Sequence, residues 1–145
     1  MLFRSADVEE KKGIHYQVGA VFERELGDVP RAIDTYAKIL ELDPDDLQAL
    51  SRLDVLYERA ENWAELLSVL TRESEMTGDP NEATSFQYRI AELYEKHLED
   101  VPRAVELYRE ILGHQPDHEP TLRALEGLKD GDKDPLGAAA VLEPV

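Results

Sequence analysis

The chain contains no cysteine, and only 7% of its residues are aromatic. Without thiols, neither a disulfide framework nor a thiolate metal site can form. No apolar run approaches the roughly 20 residues that a membrane-spanning helix needs. The first residues also become charged too early for a secretory signal. These absences predict a cytoplasmic protein without a membrane partner.

Basic residues are scarce as well, with 16 Lys and Arg against 32 Asp and Glu and a net charge of −16. Affinity for nucleic acid depends mainly on Lys and Arg contacts to phosphate, so the composition argues against a nucleic-acid partner. The hydrophobic fraction of 42% is sufficient for a folded core. We interpret the acidity as a solvating surface; the alternative is an acidic face that steers a basic partner.

Motifs for catalysis are also missing. The sequence has no Gly-rich phosphate loop and no Gly-x-Ser-x-Gly elbow. With 32 carboxylates, close pairs arise by chance and do not indicate acid–base catalysis. His114 and His118 have ligand-like spacing, but Pro116 breaks any helix between them. We therefore predict that the protein is not an enzyme and has no catalytic residues, no metal and no cofactor.

What the chain does have is an internal repeat with an offset of 72 positions, at which 28–32 returns as 100–104. Half that offset uncovers a middle unit of the same kind. Apolar residues recur at helical spacing throughout, and no stretch alternates with the period of a strand. Units of this kind bury their apolar faces on their neighbours. The pattern predicts helices over 6–26, 30–42, 46–60, 63–76, 81–98, 102–113, 119–129 and 136–143.

Aspartate and proline mark where several of these helices begin. Asp28 and Asp100 each precede a proline by two positions, and Asp79 precedes Pro80 directly. An Asp side chain can cap the first turn, and proline is tolerated there because its missing N–H has no partner to lose. The first long helix has an apolar stripe that we expect to face the core, made of Ile14, Val18 and Phe22.

The spacing of small, aromatic and proline residues resembles that of a tetratricopeptide repeat. In the first unit these residues are Gly19, Phe22, Ala32, Tyr36 and Pro44. In the third they are Ala91, Tyr94, Ala104, Tyr108 and Pro116. The middle unit matches less well, with Asp54, Leu66 and Leu70 at three of these positions. The first unit has 13 residues from its small residue to its alanine where the family usually has 12, so its first helix or turn holds one extra residue.

The resemblance implies an all-α fold, an α-solenoid of helix-turn-helix repeats in a right-handed superhelix. We expect one domain over 1–145, with units of about 6–44, 45–80 and 81–116 and a partial unit 117–145. Residues 135–145 align, 72 positions on, with residues 63–73, so the last short helix is cut off early. We interpret the chain as a fragment of a longer array. The alternative is a short protein that forms a homodimer through exposed terminal helices.

In the resembled family the first helices of successive units line a concave, peptide-binding groove. Three positions on each of the first three long helices face this groove. The long helix of the fourth unit contributes only the first of its three positions. The corresponding residues are Tyr16, Ala20, Arg24, Ser51, Val55, Arg59, Tyr88, Glu92, Lys96 and Arg123. The resemblance thus implies a scaffold that binds a protein or peptide. Three alternatives stay open. The first is the sensing arm of a larger regulator that binds a small ligand or signalling peptide, and the second is a self-assembling structural segment. The third is a nucleic-acid-reading helical repeat, which shares the unit length but should be basic.

The candidate groove contains cations at the end of each long helix, Arg24, Arg59 and Lys96, although the chain as a whole is acidic. Such a row could contact a peptide beside the two tyrosines. The competing explanation is that a cation in the last turn of a helix is favoured by the helix dipole, by about 0.3–1 kcal/mol.

Overall fold

The computed structural model of the protein describes the backbone of residues 2–130 and the side chains of residues 7–128. This part of the chain is helical throughout and contains no strand. The helices are α1 (Leu2–Ala20), α2 (Val29–Leu42), α3 (Leu47–Arg59), α4 (Trp63–Met76), α5 (Pro80–Lys96), α6 (Val101–His114) and α7 (Glu119–Asp130). A π-helical segment (Val21–Glu25) directly follows α1. The predicted all-α helical-repeat fold is confirmed. Apart from the start of α1, the predicted helix ends are correct to within two residues; the predicted helix 136–143 lies outside the described residues.

The helices form two compact units, Met1–Val69 and Leu70–Val145. In the first unit α1 packs against α2, and α2 packs against α3. In the second unit α5 packs against α6, and α6 packs against α7. Each unit therefore contains a hairpin, with the first helix of the next hairpin packed on its second helix. Following the repeat pattern, we call the first helices (α1, α3, α5 and α7) long and the second helices (α2, α4 and α6) short, although α3 and α7 have only 13 and 12 residues. The predicted single domain of three hairpins and a partial fourth stays a prediction.

Aspartate side chains cap four of the helices. Asp28 accepts a hydrogen bond from the N–H of Arg31 at 3.2 Å, and Asp100 accepts one from the N–H of Arg103 at 3.1 Å. Asp46 and Asp79 cap α3 and α5 in the same way. Each cap satisfies a backbone donor that has no partner within its helix and stabilises the helix by about 1 kcal/mol. The helix starts predicted from Asp and Pro are confirmed.

The extra residue predicted for the first hairpin is taken up by a wide helical turn. The N–H of Leu26 donates to the carbonyl of Val21 at 3.0 Å, five residues back instead of four. In the second unit the N–H of Leu98 donates to the carbonyl of Leu93 at 2.9 Å, again five residues back. A π-type turn inserts one residue without breaking the helix. Both copies of the repeat use it at the same position.

Three equivalent turn positions have a positive φ. Gly27, Glu61 and Glu99 have φ angles of 60°, 59° and 54°. Each of these residues lies in the turn between the two helices of a hairpin. In each case the short helix begins two residues later. A side chain in this left-handed region costs about 1–2 kcal/mol, which glycine avoids because it has no Cβ. Only the first of the three turns therefore has the residue that the backbone favours.

Replacing Glu99 with glycine is expected to raise the free energy of unfolding by about 1 kcal/mol, because it relieves the strain at this turn. Gly27→Glu is the matched control, since it places a side chain at the same position of the other hairpin and should lower the free energy by a similar amount. Urea denaturation followed by circular dichroism measures both. A loss of stability in Glu99→Gly would contradict the assignment.

One predicted core stripe is wrong. Ile14 and Val18 of α1 are 54% and 41% exposed, and Phe22 is only half-buried. The main packing partner of α1 is α2, which α1 meets on the side of Gly19, where the ring of Tyr36 lies. The stripe stays in solvent because α2 contacts another side of α1.

Candidate functional site

A groove of about 420 Å³ lies between α5 and α7 in the second unit. Both are long helices in the sense of the repeat, and the short helix α6 comes between them in the chain. The side chains that line the groove are Tyr88, Glu92, Glu95 and Lys96 from α5, with Pro120, Arg123, Ala124 and Gly127 from α7. The small residues of α7 leave room for an occupant.

The groove is lined by two carboxylates, Glu92 and Glu95, and two cations, Lys96 and Arg123. Lys96 Nζ lies 3.1 Å from Glu92 Oε2, on the same helix. Arg123 Nη2 lies 3.0 Å from the Oε1 atom of Glu119, one turn earlier on α7. These pairs are largely exposed, so each is worth only a few tenths of a kcal/mol. Because little energy holds them, the cations can exchange these partners for groups of a bound molecule.

Tyr88 forms the rigid part of the groove wall. Its ring centroid lies 5.9 Å from that of Tyr108 and 5.8 Å from that of His118. Burial, together with the nearby carboxylate of Glu92, raises the pKa of Tyr88 to about 12. The hydroxyl therefore stays protonated at neutral pH and can donate a hydrogen bond. A tyrosine held in this way offers contact area at a low cost in conformational entropy.

The structure brings four of the ten predicted groove residues together: Tyr88, Glu92, Lys96 and Arg123 all line this groove. The other six lie in the first unit. There Arg24, Ser51, Val55 and Arg59 are exposed, and Ala20 is half-buried. Tyr16 donates its hydroxyl hydrogen to Asp46 Oδ1 by a short hydrogen bond, so this donor is already used within the fold. Whether these ten residues bind a peptide stays a prediction.

Sequence reasoning missed a buried charged cluster in the first unit, centred on Lys12. The Lys12 ammonium lies 2.7 Å from Asp46, 3.0 Å from Asp43 and 3.2 Å from Glu9. The side chains of Lys12 and Asp46 are only 11% and 10% exposed. The cluster joins α1 to the loop between α2 and α3. We call Lys12, Asp43, Asp46 and Tyr16 the Lys12 cluster.

Ionisation within the Lys12 cluster is strongly coupled to folding. Hydrogen bonds to Asp46 and Asp43 raise the pKa of Lys12, against the opposing effect of burial. Burial alone would raise the pKa of Asp46, but hydrogen bonds from Lys12 and Tyr16 hold that pKa below its usual value. Both groups are therefore charged at neutral pH. Because its pKa is lowered, Asp46 stabilises the fold above its ordinary pKa, and this contribution is lost as the pH falls through the folded-state value.

The second unit has a hydrogen-bonded cluster of different residues in the same place. Seventy-two positions after Lys12, Asp43 and Asp46 stand Thr84, Gln115 and His118. Gln115 Nε2 donates to Thr84 Oγ1 at 3.1 Å, and the ring of His118 lies against Tyr88. The two copies of the repeat thus join the same elements with different chemistry. Comparing the two copies position by position in the sequence is the signal that could have revealed both clusters.

The two histidines His114 and His118 have separate hydrogen-bond partners. His114 Nδ1 lies 2.8 Å from the backbone oxygen of Glu110, whereas His118 Nδ1 lies 2.7 Å from Thr121 Oγ1. Among the residues whose side chains are described, no three His, Asp or Glu groups are arranged to hold a metal ion.

Three segments of the chain match family models described as tetratricopeptide repeat, at residues 15–46, 49–84 and 86–118. A MamA RS-1 ArsTM double mutant superposes with a TM-score of 0.61 at 21% identity, over 87% of this chain and 68% of that one. The N-terminal domain of stress-induced protein-1 (STI-1) from C. elegans superposes with a TM-score of 0.60 at 19% identity, over 85% of this chain and 95% of that one. Among curated proteins there is no significant match.

Repeated helical hairpins with a groove between two long helices define a helical-repeat scaffold, a class that presents its surface to protein partners. The three matched segments cover more than half of the chain, and the chain belongs to the tetratricopeptide-repeat family. Within residues 2–130, none of the helices is both long enough and apolar enough to span a membrane.

Proposed function

We propose that the protein holds a peptide segment of a partner protein in the groove between α5 and α7, without catalytic turnover. The observation that supports this most directly is the lining of the groove. It combines a rigid tyrosine, two cations and two carboxylates around a space of about 420 Å³. Peptides present backbone donors and acceptors together with charged ends or side chains, and this lining can pair with all of them.

The two cations have different surroundings, which suggests how a peptide would be oriented. Arg123 and its partner Glu119 are 75% and 71% exposed, so Arg123 can leave this pair at little cost. Its planar guanidinium can then bind a carboxylate of the peptide with two hydrogen bonds. On the facing helix the Tyr88 hydroxyl can donate a hydrogen bond to the peptide backbone, and the Glu95 carboxylate can accept one. We therefore expect the bound segment to place an acidic group at Arg123.

Charge reversal at Arg123 tests this function. Peptides selected from a random library for binding to the chain are expected to lose about tenfold in affinity, or about 1.4 kcal/mol, for Arg123→Glu. Isothermal titration calorimetry measures the affinity. The selected sequences should also be enriched in Asp or Glu.

Arg103→Glu is the matched control. Arg103 is an exposed residue on α6 that also pairs with a glutamate on its own helix, and it does not line the groove. Both variants change the net charge equally, so a general electrostatic effect would weaken binding in both. Equal losses in the two variants, or no loss in Arg123→Glu, would contradict a peptide site in this groove.

A second candidate function is the sensing of a small ligand, as in the arm of a larger regulator. It is favoured by the volume of the groove, since about 420 Å³ is within the range of small-molecule sites. The peptide selection separates the two functions. Failure to enrich any peptide, together with a thermal shift from a small-molecule library that Arg123→Glu abolishes, would favour the sensor.

Three further parts of the proposal follow from charge and composition. The net charge of −16 supports a protein partner and not a nucleic acid. The absence of cysteine is compatible with a cytoplasmic location. Association of two copies through terminal helices is supported by apolar side chains that α1 exposes.

A further inference from the structure

Three apolar residues of α1 form an exposed surface that we call the α1 stripe: Ile14, Val18 and Val21. They are 54%, 41% and 42% exposed. Gly19 is the small residue of α1 that contacts α2. Ile14 lies five residues before Gly19, Val18 lies one residue before it, and Val21 lies two residues after it. At helical spacing these positions share one face of the helix, and the π-helical segment continues that face.

The same positions are buried on the other long helices. On α3 the residue that corresponds to Gly19 is Asp54, and the three equivalent positions are Ala49, Leu53 and Leu56. On α7, 72 positions further on, they are Thr121, Leu125 and Leu128. All six are at most 1% exposed. Of the three equivalent residues of α5, Ile90 and Leu93 are buried and Phe86 is half-buried. Only on α1, among the four long helices in the described part of the chain, are all three positions exposed.

The element that covers this face in the second unit is the preceding short helix. Leu125 and Leu128 belong to one core cluster with Val105, Tyr108 and Ile111 of α6. In the first unit, α3 likewise packs against the short helix before it, α2. The α1 stripe therefore corresponds to the surface on which α3 and α7 each bind the preceding short helix.

The sequence contains a segment with the register of such a helix. Residues 135–145, which lie outside the described residues, align 72 positions on from residues 63–73, the first part of α4. The repeat register thus gives this part of the sequence the position that follows α7. Of residues 136–143 only Glu143 is charged, so the segment matches the apolar α1 stripe in chemistry. Its sequence lacks the polar face that a short helix exposed on all sides would need.

We propose that the α1 stripe binds residues 136–143 of a second copy of the chain, so that copies associate head to tail. The contact repeats the packing of a short helix on the next long helix that each unit already contains. Because the two surfaces are different, the association is heterologous and does not stop at a dimer unless the ring closes. The groove between α5 and α7 takes no part in this contact, so the inference does not depend on the proposed peptide site.

Two defective variants test the proposal by complementation. Val18→Asp damages the α1 stripe but keeps the C-terminal segment, whereas truncation after Asp134 removes the segment but keeps the stripe. In sedimentation velocity over a range of concentrations, the full chain is expected to associate and each variant alone to stay monomeric. An equimolar mixture of the two should form a complex with twice the mass of one chain and nothing larger.

Leu47→Asp is the matched control, because Leu47 is an exposed apolar residue of α3, 53% exposed, outside the α1 stripe. It adds the same charge and should associate like the unchanged chain. Circular dichroism checks that Val18→Asp is folded, and Ile14→Asp serves as a second stripe variant. The proposal is overturned if the full chain stays monomeric, if either variant still associates alone, or if the mixture forms no complex.

Discussion

Replacing Lys12 with methionine is expected to lower the free energy of unfolding by about 3 kcal/mol. Removing one member of a buried ion pair leaves the other charge without compensation, which costs about 3–5 kcal/mol. Here Asp46, whose side chain is 10% exposed, loses its 2.7 Å contact with the ammonium, while the more exposed Asp43 can still be hydrated. We therefore expect the lower end of that range. Urea denaturation followed through Trp63, the single tryptophan, measures the loss within the first unit.

Lys11→Met is the matched control for this experiment. Lys11 is the neighbouring residue and also pairs with a carboxylate, Asp7, but both side chains are more than half exposed. Its replacement should change the free energy of unfolding by less than about 0.5 kcal/mol. Similar losses in the two variants would show that burial of the Lys12 cluster does not stabilise the fold.

The second unit suggests how to rescue Lys12→Met. The triple variant Lys12→Thr, Asp43→Gln, Asp46→His installs in the first unit the residues that stand 72 positions further on. Those residues form hydrogen bonds in the second unit. Because no buried charge is left unpaired, we expect the triple variant to be more stable than Lys12→Met despite its three changes. Lower stability in the triple variant would mean that the two clusters are not interchangeable.

The second large effect is expected at Gly19, where valine should lower the free energy of unfolding by about 3 kcal/mol. A Cβ at this position would lie 2.7 Å from Cε1 of Tyr36, which is closer than carbon atoms can approach. The ring is almost fully buried, and its hydroxyl donates to Glu23 at 3.0 Å, so it can shift only slightly. Overpacking of this kind costs about 1–3 kcal/mol, and the branched side chain adds the most crowding.

Gly13 provides the control on the same helix. A Cβ there would meet no atom within 4 Å. Gly13→Val should therefore be neutral or slightly stabilising, because valine has a better helix propensity than glycine. Thermal denaturation by circular dichroism compares the two variants. If Gly19→Val were as stable as Gly13→Val, the close packing of α1 on Tyr36 would be wrong.

Both copies of the repeat pack a small residue of the long helix against a buried tyrosine, but the small residue differs. The second unit has Ala91 where the first has Gly19, and Tyr108 where the first has Tyr36. Tyr108 is fully buried and donates its hydroxyl hydrogen to Glu95 at 2.7 Å, as Tyr36 does to Glu23. A methyl group is therefore tolerated in one copy of the same arrangement. We expect Gly19→Ala to cost much less than Gly19→Val, since only a small shift of the ring is needed.

Much of the local structure could be predicted from the amino-acid sequence. The caps at Asp28, Asp79 and Asp100 and the extra residue in the first hairpin all depend on contacts within a few residues. Such contacts depend on residue type and spacing, which a reader of the sequence can see. The candidate groove was partly predictable, because the repeat register placed Tyr88, Glu92 and Lys96 on one side of α5. The contribution of Pro120, Ala124 and Gly127 was not, since the orientation of α7 depends on its packing against α6.

The sequence by itself therefore determined the helices, their ends and the repeat of 72 positions, because each depends on interactions between neighbours in the chain. Only the tertiary structure decided which apolar faces are covered. Ile14 and Val18 have the same spacing as buried residues of α3, yet they are exposed because α2 packs against another side of α1. Likewise, Lys12 is buried because Asp43, 31 positions away, and Asp46 meet it in space. Burial is a property of what a side chain touches, and residue type alone does not specify it.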